Sequence, residues 1–269
     1  MTINSSSPLL EISYPQNRVI EVSLNNPDKF NAFDDSLIAA MTDVFEQVAN
    51  NLDIRVLVLS AQGKHFSAGA DLAWMQRMAD YTLEQNQQDA MALANMLYKL
   101  NHLPQATIAK VQGAAFGGAV GLVSCCDMAI ATDNASFCLS EVKLGLIPAT
   151  ISPYVMQAMG ARASRRYFQT AERFKAETAL KLGLVDDVVP QDSLSETVSN
   201  RCDLILSNGP HAVRKAKALV LDFQHQAVDH KMLLQTSERI AEVRVSDEGQ
   251  EGLQAFFNKR PASWLSDKE

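Results

Sequence analysis

The sequence predicts an α/β fold with a mostly helical C-terminal third. Apolar segments of strand length alternate with amphipathic helical segments across roughly residues 9–150. Helical patterns dominate from Ser152 onward, with one interruption at residues 183–190. No linker or low-complexity segment is evident, and 269 residues suffice for one large domain or for a core with an appended element.

Strand and helix signals alternate through the first half of the chain. Two segments of alternating apolar and polar residues flank a Pro-Gln-Asn turn and predict half-buried strands. Asp34 or Asp35 is a suitable N-cap for an amphipathic helix. A glycine-dense segment predicts a short apolar helix. The predicted strands are residues 9–14, 18–24, 54–59, 107–111, 127–131 and 137–138, and the predicted helices are 35–50, 72–79, 83–100 and 117–124.

The helical patterns of the last third predict a C-terminal region that serves oligomerisation. We assign residues 1–205 to the α/β core with the functional site, and residues 206–269 to a helical C-terminal region. Within this region, segments 212–221 and 228–244 have long helical patterns, which we expect to contact another subunit.

Composition excludes several classes of function. The chain is 47% hydrophobic and 20% charged, and its net charge of −7 argues against a nucleic-acid-binding surface. No segment approaches the run of about 18 apolar residues that crosses a membrane, and the first residues do not resemble a signal peptide. The adjacent Cys125 and Cys126 predict reduced, buried thiols in a cytoplasmic protein. The histidines and cysteines lack ligand spacing, so no metal site is expected.

Two motifs point to chemistry at a carbonyl group. The first is the glycine-dense Gln112-Gly-Ala-Ala-Phe-Gly-Gly-Ala-Val-Gly121, and the second, Phe137-Cys-Leu-Ser-Glu141, ends in a lone carboxylate. Glycines let backbone N–H groups approach a ligand closely. A carboxylate near such donors can move a proton next to a polarised carbonyl. Together the motifs predict an acyl-transforming site.

A wider set of motifs resembles the enoyl-CoA hydratase/isomerase (crotonase) superfamily. The motifs occur in the order and spacing of that family over roughly residues 10–260, and together they are far more specific than any one alone. They are Asn26-Pro-Asp-Lys-Phe-Asn-Ala-Phe33, Phe66-Ser-Ala-Gly-Ala-Asp71, Gly113-Ala-Ala-Phe-Gly-Gly118, Cys126-Asp127, Glu141 with Leu144-Gly-Leu-Ile-Pro148, and Thr170-Ala-Glu-Arg-Phe-Lys-Ala176 before Gly183-Leu-Val185.

The resemblance implies a spiral of ββα repeats, assembly as a trimer or hexamer, and a coenzyme A thioester as substrate, with no other cofactor. It also implies that the backbone N–H groups of Ala70 and Gly118 form an oxyanion hole and that Glu141 is the principal acid/base group. Preorganised donors of this kind stabilise the charge that develops on a thioester oxygen.

One departure from the family pattern bears on the reaction. Hydratases of this family typically have two glutamates, and the first of these positions is Gly121 here. The usual Gly-Gly pair after Ile-Pro is replaced by Ile151-Ser152. A single Glu141 suits an isomerase that moves a double bond, because one carboxylate can remove and return the proton. Hydration remains an alternative, in which Ser152 or a polar group of the substrate holds the water molecule.

The segments 71–79 and 138–154 resemble a bacterial branch associated with methylglutaconyl-CoA hydratase. This implies a role in leucine or branched-acid degradation and a distal carboxylate on the substrate, which pairs with Arg77 or Lys143 or stands in for the missing glutamate. The predicted function is therefore hydration of a branched or carboxylated enoyl-CoA, such as 3-methylglutaconyl-CoA. The alternatives are a Δ3-Δ2 enoyl-CoA isomerase and a non-catalytic acyl-CoA-binding protein.

The remaining candidates have competing structural explanations. Asp71 is foremost an N-cap. Trp74 at helical spacing is equally a core residue or a pocket residue, and Lys29 and Lys64 either touch CoA phosphates or are solvated. Phe257 caps a neighbouring CoA site or anchors the last helix. The other predicted substrate-binding positions are Phe30, Ala32, Ala68, Leu72, Phe116, Gly121 and Ser152.

Overall fold

The computed structural model describes residues 3–5, 7–224 and 226–268. The chain divides into two compact units, the first ending at Ser199 and the second beginning at Asn200. The first unit contains all the described strands, which confirms the predicted α/β core.

The elements follow the predicted order closely. The strands are β1 Leu10–Gln16, β2 Val19–Leu24, β3 Val56–Ala61, β4 Ala106–Val111, β5 Ala114–Phe116, β6 Met128–Thr132, β7 Ser136–Cys138, β8 Phe174–Lys175 and β9 Asp187–Val189. The helices are α1 Asp35–Ala49, α2 Leu72–Ala79, α3 Leu83–Asn101, α4 Gly118–Cys125, α5 Ser152–Thr170, α6 Ala176–Leu182, α7 Leu194–Leu206, α8 Pro210–Phe223, α9 His230–Val245 and α10 Asp247–Phe257.

The strands form two sheets. One has the order β1-β2-β3-β4-β6-β9 and is parallel apart from the antiparallel pair β1 and β2. The other has the order β5-β7-β8, with β5 and β7 parallel. Because helices cover both faces of most parallel sheets, a central strand such as β3 is a continuous buried apolar run.

Two details differ from the sequence prediction, and one open alternative is resolved. The strands β5, β8 and β9 were not predicted, because segments of two or three residues are too short to show a clear period of two. The helix α5 is interrupted at Gly160, whose φ of 77° and ψ of 156° lie outside the helical region. Of the two candidate caps for α1, Asp34 is the one, and its carboxylate accepts a hydrogen bond from the Leu37 N–H at 2.8 Å.

The second unit is helical and exposes several large apolar side chains. The Glu248 carboxylate accepts hydrogen bonds from the backbone N–H groups of His211 and Ala212, which links α10 to the start of α8. Exposed apolar side chains include those of Val228, Val245, Phe256 and Phe257. Within the described residues, no helix is long and apolar enough to span a bilayer.

Candidate active site

A cavity of about 600 Å³ lies in the first unit, among α2, α3, the start of α4 and the segment 141–151. Its walls are largely apolar, and the ionisable side chains among the described residues that line it are Asp89 and Glu141. The lining residues are Phe33, Ala70, Trp74, Met78, Asp89, Ala90, Leu93, Gly118, Glu141, Gly145, Leu146, Ile147, Pro148, Ala149, Thr150 and Ile151.

Glu141 lies three residues beyond the predicted strand 137–138 and begins a short 3-10 turn that ends at Leu144. Its Oε2 atom is buried, and no described residue gives it a hydrogen-bond partner. Burial raises the pKa of the Glu141 carboxyl, against a smaller opposing effect of its own backbone N–H. A carboxyl with a raised pKa exchanges protons closer to neutral pH than an ordinary glutamate does.

Two backbone positions face the same cavity as Glu141. Ala70 follows Gly69, whose carbonyl accepts the Phe33 N–H at 2.7 Å, and Gly118 is the first residue of α4. Among the described residues, no hydrogen bond uses the N–H groups of Ala70 and Gly118. Gly117 has a φ of 54° and a ψ of −123°, a backbone conformation that favours glycine, and it lies next to Glu141, since a Cβ there would be 3.4 Å from Glu141 Oε1. The structure thus brings together the three residues predicted as catalytic.

The side chain of Asn31 joins the segment that begins at Asn26 to the segment 62–65, which leads to Ala70. It is 1% exposed, its side-chain amide donates to the carbonyl oxygens of Gln62 and His65 at 2.9 Å each, and its Oδ1 accepts the Asn26 N–H at 2.8 Å. Its φ of 53° is in the left-handed region, which asparagine tolerates better than most residues. Sequence reasoning quoted Asn31 within a motif but did not recognise this positioning function.

Asp71 is the N-cap of α2, as predicted. Its Oδ1 accepts hydrogen bonds from the N–H groups of Ala73 and Trp74, and its Oδ2 accepts one from Lys29 Nζ at 2.9 Å. The hydrogen bond from Lys29 is the main reason that the pKa of Asp71 is lowered. The carboxylate therefore stays ionised and holds the start of the helix that bears Trp74.

Trp74 and Asp89 form part of the cavity wall. The Trp74 side chain is 5% exposed, and its indole N–H donates to Asp89 Oδ1 at 3.1 Å. Sequence reasoning left Trp74 undecided between core and pocket, and the structure places it in both positions. It missed Asp89, which is one polar residue among many at the start of α3.

The space beside Gly121 is filled. A Cβ atom at this position would lie 2.2 Å from Cγ2 of Ile151, which lines the cavity and is 2% exposed. The neighbouring Ser152 begins α5, and its hydroxyl donates to the Ala149 carbonyl at 2.8 Å.

Several other predicted positions lie outside the cavity lining. Leu72 is 82% exposed, Phe30 packs edge-on against His65, and the Phe116 ring contacts the Arg173 guanidinium at 4.8 Å. The remaining positions of this kind in the first unit are Lys29, Ala32, Lys64, Ala68, Asp71, Gly121 and Ser152. Phe257 ends α10 in the second unit, where its ring packs edge-on against Phe256.

The described residues contain no group of three or more His, Cys, Asp or Glu side chains arranged to hold a metal ion. The cavity thus offers a buried carboxyl group, backbone donors and apolar walls. This arrangement can move a proton at an activated carbon atom while stabilising negative charge on a neighbouring oxygen.

Comparisons with known proteins agree with this arrangement. The model of the family "Enoyl-CoA hydratase/isomerase" matches residues 15–267. The crystal structure of an enoyl-CoA hydratase from Shewanella pealeana is 49% identical, covers 95% of this chain and 96% of its own, and superimposes with a TM-score of 0.92. A crotonyl-CoA hydratase from Syntrophomonas wolfei is 29% identical over 90% of this chain and 93% of its own. A short-chain-enoyl-CoA hydratase from Clostridium acetobutylicum is 29% identical over 91% and 93%. The expected crotonase-like fold is thereby confirmed.

Proposed function

Because the chain belongs to the enoyl-CoA hydratase/isomerase family, we propose that it hydrates an α,β-unsaturated acyl-CoA to the 3-hydroxyacyl-CoA. The observation that supports this most directly is the buried Glu141 carboxyl, in an apolar cavity that Ala70 and Gly118 also line. Related proteins of similar length are hydratases of crotonyl-CoA and of short-chain enoyl-CoA.

In the proposed reaction Glu141 starts as the carboxylate. It accepts a proton from a water molecule while the water oxygen bonds to Cβ of the substrate, and the electron pair of the double bond moves towards the thioester oxygen. The N–H groups of Ala70 and Gly118 stabilise that negative charge. Glu141, now neutral, donates the proton to Cα and restores the thioester. The water supplies every added atom, so the reaction needs no cofactor besides the coenzyme A of the substrate.

The cavity lining supports an uncharged acyl chain. The ionisable side chains among the described lining residues are both acids, Asp89 and Glu141, and a distal carboxylate would face them without a cation. Arg77, one predicted partner of such a carboxylate, lies outside the lining and pairs with Asp35 at 2.6 Å. Lys143, the other, is exposed and also lies outside it. We therefore propose a short or branched apolar acyl group and keep 3-methylglutaconyl-CoA, the predicted leucine-pathway substrate, as a test compound.

A specific observation favours isomerisation as a second candidate function. The side chain of Ile151 makes the cavity apolar next to Gly121, so α4 supplies no second carboxylate to orient a water molecule. Moving a double bond from the β,γ to the α,β position needs one proton carrier and no water. Glu141 is sufficient for that reaction.

The experiment is turnover of crotonyl-CoA, 3-methylglutaconyl-CoA and 3-hexenoyl-CoA by the purified protein and by Glu141→Gln. Glu177→Gln, at an exposed glutamate of α6, is the matched control. We expect hydroxylated product from crotonyl-CoA with the wild-type protein and the control, and loss of about 10²-fold or more in Glu141→Gln.

The other outcomes separate the alternatives. Migration of the 3-hexenoyl double bond without hydration of any ester would establish the isomerase. A preference for 3-methylglutaconyl-CoA would contradict the uncharged acyl group and support the leucine pathway. Tight binding of all three esters without turnover would identify a binding protein.

We also propose self-assembly as a trimer or hexamer. The apolar side chains exposed on the second unit support this proposal, since 83% of Val228 and 78% of Phe256 are accessible to solvent. Light scattering coupled to size-exclusion chromatography tests it, and a monomer at micromolar concentration would contradict it.

A further inference from the structure

Gly121 has no conformational reason to be glycine. It lies within α4, and it is not among the glycines with positive φ. In a helix interior alanine is more favourable than glycine, because glycine has more backbone freedom to lose. The reason for glycine must therefore come from the residues packed around it.

The three heavy atoms nearest to a Cβ at this position all belong to Ile151. A Cβ at position 121 would lie 2.2 Å from Cγ2 of Ile151 and 2.8 Å from its Cβ, both impossible contacts, but 3.7 Å from its Cα, an ordinary one. Ile151 is 2% exposed and immediately precedes α5. The helices α4 and α5 pack against each other here, so the contact between Gly121 and Ile151 joins two elements of the core.

The contact between Gly121 and Ile151 also borders the candidate active site, because Ile151 lines the cavity together with Glu141. The direction in which a side chain at position 121 would leave α4 is the direction that Ile151 occupies. Without the isoleucine side chain, a long side chain at position 121 would extend towards the part of the cavity wall that Ile151 forms. With it, that part of the wall is closed and apolar.

We propose that Ile151 is a specificity-determining residue that acts with Gly121 as a reciprocal pair: it excludes a second acid/base group from the cavity and keeps proton transfer on Glu141 alone. The double substitution Gly121→Glu/Ile151→Gly creates a site with two carboxylates, whereas neither single substitution does. This inference rests on the proposed function for its activity readout, but its packing component is independent of any reaction.

The packing component is tested by stability. Gly121→Ala is introduced into three backgrounds: wild type, Ile151→Ala and Ile151→Gly. We expect Gly121→Ala to lower the urea midpoint in the first two, since Cβ of residue 151 would remain 2.8 Å away. In the Ile151→Gly background the same change should leave the midpoint unchanged or raise it. Val155→Ala, at a fully buried residue in the first turns of α5, controls for general loosening of the core and should not relieve the effect.

The functional component is tested by comparing glutamate at position 121 with glutamine, which has nearly the same shape but no charge. Gly121→Glu/Ile151→Gly is compared with Gly121→Gln/Ile151→Gly in the hydration of crotonyl-CoA. We expect kcat/KM of the glutamate variant to exceed that of the glutamine variant by about tenfold or more. We also expect its pH–rate profile to contain one additional ionisation.

The outcomes are distinguishable. If Gly121→Ala destabilises the protein equally in all three backgrounds, the reciprocal pair does not exist. If the pair is confirmed by stability but the two double variants hydrate at the same rate, Ile151 is a packing residue and the proposed specificity is wrong. Failure of the wild-type protein to turn over any enoyl-CoA overturns the proposed function and leaves the stability result intact.

Discussion

The indole N–H of Trp74 donates a hydrogen bond to Oδ1 of Asp89 at 3.1 Å, and this bond ties α2 to α3 in the wall of the cavity. A buried indole usually needs such a partner. The bond also fixes the negatively charged carboxylate of Asp89 in the cavity wall, where the acyl chain of a substrate is expected to lie. We therefore expect Asp89 to discriminate between charged and uncharged acyl groups.

Asp89→Asn should weaken this discrimination. Asparagine keeps an oxygen that accepts the indole hydrogen bond but removes the negative charge. We expect the ratio of kcat/KM for 3-methylglutaconyl-CoA to that for crotonyl-CoA to rise roughly tenfold, equivalent to about 1.4 kcal/mol. Asp43→Asn removes the same charge from α1, outside the cavity lining, and should leave the ratio unchanged. An equal change in both variants would show that net charge alone is responsible.

Trp74→Phe should destabilise the first unit. The substitution preserves an aromatic ring but deletes the donor to Asp89, and loss of one such hydrogen bond costs about 1 kcal/mol. Urea unfolding measures the loss. Far-UV circular dichroism is the readout, because Trp264, the tryptophan that remains in the variant, lies in the second unit. An unchanged unfolding midpoint would mean that water replaces the indole at no cost.

Activity and stability should respond to the titration of Glu141 with opposite signs. Burial raises the pKa of this carboxyl, and the proposed hydration needs the carboxylate. Therefore kcat/KM should fall, as pH decreases, at a higher pH than the ordinary glutamate pKa of about 4.3 implies. A profile that rises as pH decreases through this region would contradict the assignment of Glu141 as the initial proton acceptor.

The stability effect follows from the same raised pKa. The contribution of the buried neutral carboxyl is fully present below the unfolded-state pKa, and it is lost as pH rises through the folded-state pKa. Glu141→Gln cannot ionise, so at neutral pH it should be more stable than the wild-type protein. We expect that difference in the free energy of unfolding to shrink as pH is lowered, measured by urea titration at several pH values. Glu177→Gln should follow the wild-type curve.

Asp71 should contribute more through its N-cap than through its ion pair. Asp71→Ala deletes the acceptor for two helix N–H groups and should cost about 1 kcal/mol. Asp71→Asn keeps an acceptor and loses the pair with Lys29, whose side chain is 59% exposed, so its cost should be smaller. Since the pKa of Asp71 is lowered, the contribution of the pair is present above the unfolded-state pKa and is lost as pH falls through the folded-state value.

The double variant Asp71→Asn/Lys29→Gln provides the control. If the ion pair is the cause, each single substitution should cost a similar amount and the double variant no more than either one. Additive losses would show that Asp71 and Lys29 stabilise the protein independently.

Most of the helices and strands could be predicted because their signals are local. The helix α2 has the predicted bounds, since Asp71 is a cap and the apolar positions that follow recur with helical spacing. The strand β8 could not be predicted, because its two residues become a strand only by pairing with β7. The antiparallel register of Phe137 and Phe174 joins segments far apart in the sequence, and no local pattern contains that information.

The candidate site divides in the same way. The resemblance to the family motifs predicted Glu141, Ala70 and Gly118 as catalytic residues, and the structure places all three in the lining of one cavity. Asp89 was missed, because on the polar start of α3 it does not differ from its neighbours until the helix packs beside the cavity.

Gly121 shows both what the sequence determined and what only the folded structure decided. The sequence was enough to establish that no side chain extends from that position, and hence that a second carboxylate is absent there. That Ile151, thirty positions later in the chain, fills the space beside Gly121 was decided by the packing of α4 against α5. A local pattern specifies what a residue can donate or accept, whereas the volume available to it depends on atoms that only the folded chain brings near.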